Sequence, residues 1–137
     1  MSAADSTATK PHNLTGVNFH DVPARKVAVS GGIIDAHNHV GEAKLSAPMI
    51  DAAAAYGVSS FYTMTQLENV AGLREMYPGK FHFIAVPAWQ TKVIDAAFFA
   101  DWKRRLEAFR ELGAGLFKLH AAPGTMRRWG ISLDDPR

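Results

Sequence analysis

The sequence predicts an α/β fold in which parallel β/α units form the first half, strands one to four, of a TIM-barrel-like fold. Three observations predict it. Apolar runs of strand length alternate with helical stretches at least three times along 137 residues, and strands on that plan pair in parallel through right-handed crossovers, with helices covering the sheet. Neither GxGxxG nor GxxxxGK with a following Ser or Thr comes after any strand, which counts against a nucleotide-binding open sheet. The first and fourth strands end in polar residues, at the strand ends where such barrels carry their chemistry.

The elements follow in order. Residues 1 to about 25 mix Ser, Thr, Asn, His and two prolines without apolar periodicity and read as a flexible lead-in. Lys26 to Val29 reads as a short strand before Gly31-Gly32, and Ile33 to His37 as the first firm one. Ser46 is placed to cap a helix with Pro48 in its first turn, an apolar stripe at Met49, Ile50, Ala53 and Ala54, and Gly57 as its stop. Ser59 to Met64 is the second strand. Thr65 and Glu68 then make a capping box for a helix through about Tyr77, which Pro78-Gly79 ends. Phe81 to Val86 is an apolar run of the kind buried on both faces. The longest helix covers Ala96 to Leu112, with Phe98, Trp102, Leu106 and Phe109 as its stripe. Gly115 to His120 is the fourth strand. Asp134, Asp135 and Pro136 are placed to start another helix, and the sequence stops there, which suggests a chain cut from a longer one. The expected organisation is thus the lead-in 1–25 and a partial β/α barrel over 26–137.

Composition sets limits. A content of 47% hydrophobic residues is ordinary for one packed domain. The net charge of +2 is too small to imply nucleic acid. The basic cluster Lys103-Arg104-Arg105 reads as a solvated helix face and Arg127-Arg128 as part of a loop. There are no cysteines, so thiolate metal sites, disulfides and cysteine nucleophiles are excluded. Neither a basic, apolar leader nor about 18 consecutive apolar residues is present, so no membrane partner is expected and the protein reads as cytoplasmic. Half a barrel leaves two unpaired sheet edges, a surface for forming a homo-oligomer.

The chemistry starts at Asp35-Ala36-His37-Asn38-His39. An extended strand alternates its faces, so Asp35, His37 and His39 are expected on one side. Two imidazoles on one face can grip one divalent metal, zinc first, with manganese or iron as alternatives. With six histidines in the chain, a His-x-His arises by composition in about one such sequence in four, so the spacing alone is weak. Its place at the end of an apolar strand, after a carboxylate and a Gly-rich approach, separates it from solvent-facing histidines.

Taken with Gly113 to His120 and Leu133 to Arg137, this segment resembles the amidohydrolase superfamily, in particular its amidohydrolase-related branch of metal-dependent hydrolases and nonoxidative decarboxylases. The resemblance spans about residues 30 to 137. It implies that His37 and His39 are first-strand metal ligands, and that Lys118 occupies the position where some members carry a metal-bridging, often carboxylated lysine. A free ammonium has no acceptor and cannot ligate, so Lys118 is equally read as paired with Asp35 or facing solvent. His120, two positions on, is read as a ligand or substrate contact, or as a polar residue at a strand mouth. Asp35 would orient a histidine from behind. The implied activity is hydrolysis of a small carbonyl or carboxylate compound by metal-activated water. The same strands suit a nonoxidative decarboxylase, or a non-catalytic fragment that only binds metal or a partner. The histidines of the family's fifth and sixth strands and the aspartate of its eighth have no counterpart in these residues.

Other polar and aromatic candidates carry less. Trp89 either lines a pocket or packs. Phe61, Phe83, Phe98, Phe99 and Phe109 are read as core, His82 lies at the wrong end of its strand, and His12 and His20 fall in the lead-in. Gly124, Thr125 and Arg127 are candidates for contact with an anionic group from a loop.

Overall fold

Strands and helices alternate along the chain: β1 (Ile33–Asn38), α1 (Ala43–Ala55), β2 (Val58–Thr63), a 3-10 turn (Leu67–Asn69) leading into α2 (Val70–Met76), β3 (Phe81–Ala85), α3 (Ala96–Glu111), β4 (Leu116–Phe117) and α4 (Pro123–Trp129). The structure is a computed structural model that describes residues 30–88, 93–118 and 123–130, with 132, 134 and 136. The expected lead-in 1–25, the strand expected at Lys26 to Val29, Trp89 and the Leu119-His120 end of the fourth strand lie outside the described residues.

The four strands form one curled sheet in the order β1-β2-β3-β4, and every pairing is parallel. Spatial order copies chain order, without the reversal that makes the switch point of a doubly wound sheet. Register assigns the faces. Phe61 lies beside Phe81 and Thr63 beside Phe83, and Tyr77 at the end of α2 meets Phe81 edge-on with ring centres 6.0 Å apart. This row therefore faces the helices. The alternate row carries Tyr62 stacked on His82 at 4.6 Å, and Ile34 and Leu116, in register with Ser60 and Ile84, are both exposed on it.

The core joins the helix-facing row to the helices. Ile50 of α1, Leu73 of α2, Phe109 of α3 and Phe61 of β2 are all fully buried, and Val70, Phe83 and Val86 close around them. Phe98 and Phe99, expected in the core, are only half-buried. They pack on each other at 5.4 Å, and Phe98 lies 6.4 Å from Trp129 of α4. Met49, expected in the stripe of α1, is 42% exposed.

Several local expectations are corrected. α1 begins three residues before Ser46: the Ser46 amide donates to the Glu42 carbonyl at 2.9 Å, the first bond of the ladder. Pro48 consequently lies inside the helix, where its missing N–H removes the bond to the Lys44 carbonyl, on an exposed turn. The Thr65–Glu68 capping box does not form. Thr65 is buried and accepts from Asn69 Nδ2 at 3.4 Å, while the Glu68 carboxylate turns to α3. There it receives Arg105 Nη2 at 2.5 Å and Nη1 at 3.2 Å. Arg105 Nε also donates to Asp101 Oδ2 at 2.7 Å. So the cluster Lys103-Arg104-Arg105 is not wholly a solvated face: Arg105 is buried, tying α3 to the loop after β2. The cap of α3 is Asp95, whose carboxylate accepts from the Phe98 amide at 2.9 Å. Gly124, Thr125, Arg127 and Arg128 belong to helix α4 rather than a loop, since Pro123 supplies a preset φ at the first helical position.

Candidate metal centre

β1 ends among polar side chains because its ladder changes step there. Asp35 is in register with Phe61 and Asn38 with Thr63: three residues of β1 span two of β2, a β-bulge. Phe61 and Thr63 share the helix-facing row, so Asp35 and Asn38 both belong to it, and both are half-buried. The bulge thus overturns the expectation that Asp35, His37 and His39 share one side, because strict alternation fails where one strand carries an extra residue. Asp35 Oδ1 accepts from the backbone amide of His37 at 3.1 Å, a turn-type bond that braces the bulge. Its carboxylate holds the main chain of His37, and no bond to an imidazole ring is formed.

His37, adjacent to Asn38, faces the other way, and the His39 ring follows it. The two ring centres are 5.8 Å apart, tilted by 53°, and both residues are exposed. Zn–N bonds of about 2.0–2.1 Å put each ring centre about 3.2 Å from a shared ion, so two rings on one ion have centres no more than about 6.4 Å apart. The separation of 5.8 Å lies inside that bound. Among the described residues, no group of three His, Cys, Asp or Glu side chains could hold an ion.

Two backbone ties flank His39. The Asn38 carbonyl accepts from the Met64 amide at 3.0 Å, and the Val40 amide donates to Thr63 Oγ1 at 3.1 Å. Further along the same end of the sheet, Gln66 Nε2 donates to the Pro87 carbonyl at 3.2 Å, linking the loop after β2 to the end of β3. The Asn38 side-chain Nδ2 and Oδ1 are buried without a hydrogen-bond partner among the described residues.

Lys118 follows directly on β4, its amide bonded to the Ala85 carbonyl at 2.9 Å. Two residues beyond Leu116, it shares the face of the imidazoles. Its strand, however, is three places from β1, about 14 Å along the sheet at about 4.8 Å per strand. That path follows the arc of the curled sheet; Lys118 and Asp35 form no ion pair with each other. His120 lies outside the described residues. His82 is exposed against Tyr62 near the start of β3, away from the pair. A cleft of about 280 Å³ lined by Arg74, Tyr77, Phe81 and Leu112 also opens at that far end.

Sequence reading passed over Thr63 and Asn38. A threonine at the end of a strand that is otherwise half apolar was the available signal for the first; the second needs the register. Set against models of known families, characterised proteins and solved structures, the chain matches none. No described helix is long and apolar enough to cross a membrane.

Proposed function

We propose that this chain carries the first two metal ligands, His37 and His39, of a metal-dependent hydrolase of the amidohydrolase-related kind, built on the opening half of a TIM-barrel-like fold. The observation that carries the reading is the imidazole pair at 5.8 Å on the C-terminal end of the first strand of a parallel sheet whose strands follow chain order. That is the end at which β/α barrels place chemistry. A divalent ion held there by His37 and His39, zinc in the first instance, would supply a lowered water pKa and polarisation of a substrate oxygen. The chain's own contribution is to hold two imidazoles on a braced strand end, the Asp35 carboxylate fixing the His37 backbone and the β2 end fixing that of His39. Lys118 and His120 are proposed as further site residues, and a small carbonyl or carboxylate compound as substrate. A nonoxidative decarboxylase would use the same pair.

One observation favours a second reading, a chain that binds metal or a partner without catalysis: no third ligand stands beside the pair among the described residues. Self-association is part of this reading, because among the described residues β1 and β4 each pair on one edge only and Ile34 and Leu116 are exposed, at 57% and 53%.

Zinc or cobalt titration of the purified chain, compared with the His37→Ala/His39→Ala double variant, tests ligation. Uptake by the parent and loss in the variant is the expected result; equal uptake by both removes the metal claim.

A further inference from the structure

We propose that Thr63 is a positioning residue for the histidine pair: its hydroxyl anchors the backbone beyond His39 and thereby sets the spacing of the two imidazoles. This rests on the metal reading above.

The argument begins with what β1 lacks. Its ladder slips between Asp35 and Asn38 and the strand stops at Asn38, so the regular backbone pairing that would orient residues 39 and 40 is gone. Two bonds replace it. The Met64 amide holds the Asn38 carbonyl, and Thr63 Oγ1 holds the Val40 amide. They come from Thr63, the last residue of β2, and from Met64, which follows it, and they grip the chain on either side of His39 alone. A side-chain oxygen stands where a backbone carbonyl would serve in a regular ladder. Thr63 is fully buried and Val40 is 2% exposed, so water has no route to take over the bond. The hydroxyl itself sits in the helix-facing row beside Phe83, on the opposite side of the sheet from the imidazoles. It acts on His39 only through the main chain.

Valine matches threonine in shape and lacks the oxygen, whereas serine keeps the oxygen and drops the methyl. The test compares the full chain with T63V and T63S by NMR and by cobalt titration. In the parent, the Val40 amide exchanges slowly while that of exposed Gly41 exchanges freely, and a ring-to-ring contact joins His37 and His39. In T63V the Val40 amide exchanges at least about tenfold faster, the ring contact is lost, and the cobalt midpoint rises about tenfold, the lower end of what loss of a group supporting a metal ligand brings. T63S restores all three. A fast-exchanging Val40 in the parent, an unchanged ring contact in T63V, or a T63S variant that fails as T63V does would overturn the assignment. The parent measurement stands even if T63V does not fold. If the parent takes up no cobalt, the metal reading falls and with it the purpose assigned to Thr63; the exchange and ring-contact data, which need no metal, separate that outcome from failure of the anchor.

Discussion

Removing the carboxylate of Glu68 should cost more stability than removing the guanidinium it holds. The two ends of the pair lie in different surroundings: the Arg105 side chain is 8% exposed and that of Glu68 is 62% exposed. Glu68→Ala leaves a buried cation with Asp101 as its remaining carboxylate. Breaking a fully buried pair from one side costs about 3–5 kcal/mol. Here the lost partner is largely solvated and Asp101 remains, so about 1–2 kcal/mol is expected. Arg105→Met instead leaves an exposed carboxylate that water solvates and puts an apolar chain of similar reach into the buried position, at about 0–1 kcal/mol. Urea denaturation of both variants at pH 7, followed by circular dichroism, reads the difference. The acid side gives a second check. The hydrogen bonds from Arg105 hold the Glu68 carboxyl below its ordinary value, and those from Arg104 and Arg105 do the same to Asp101. The stability that Glu68 contributes is therefore complete above the ordinary carboxylate value and is lost as pH falls through the lowered one. The gap between parent and Glu68→Gln should close on acidification. A larger loss for Arg105→Met than for Glu68→Ala, or a gap that widens in acid, would refute the reasoning.

Three further substitutions have definite expectations. Gly32→Ala should destabilise by clearly more than Gly31→Ala, although both glycines have positive φ, of +80° and +90°. A Cβ at Gly32 would lie 2.5 Å from Ser59 Oγ, whereas Gly31 faces open space; Gly31→Ala alone should cost about 1 kcal/mol, and combining Gly32→Ala with Ser59→Gly should recover part of the excess in the same urea assay. Asp95→Ala should cost about 1 kcal/mol through loss of the bond to the Phe98 amide, with far-UV circular dichroism showing fraying of α3. Phe109→Ala, at a fully buried position, should cost about 3–5 kcal/mol, well above Phe99→Ala at a half-buried one, as thermal melts would show.

The order and type of the elements were legible because each is written in local periodicity. β2 and β3 begin within a residue of expectation, and α3 begins at the expected residue. What escaped depends on partners distant in sequence. Nothing near Glu68 announces that its carboxylate goes 37 residues onward to Arg105, so the capping box and the solvated basic face were both reasonable on local grounds and both displaced by one tertiary contact. The bulge in β1 is of the same kind: it appears only when β1 is set against β2, and it moves Asp35 off the face of the histidines. The His-x-His itself was visible, since it needs only two positions. The ties that hold it in place were not, since they come from the next strand.

The unbroken β1-β2-β3-β4 order also bears on how the chain reaches its fold. Paired residues such as Phe61 and Phe81, Ile33 and Val58, or Ile84 and Leu116 are separated by between 20 and 32 positions, and among the described residues no strand waits for a partner beyond its immediate successor. Parallel pairings close larger loops than hairpins do and form more slowly for it. Here those loops are all of similar, moderate size, so each new strand can dock as soon as its own helix has emerged. A chain organised this way can grow its sheet in one direction during synthesis, with the newest strand always serving as the template for the next.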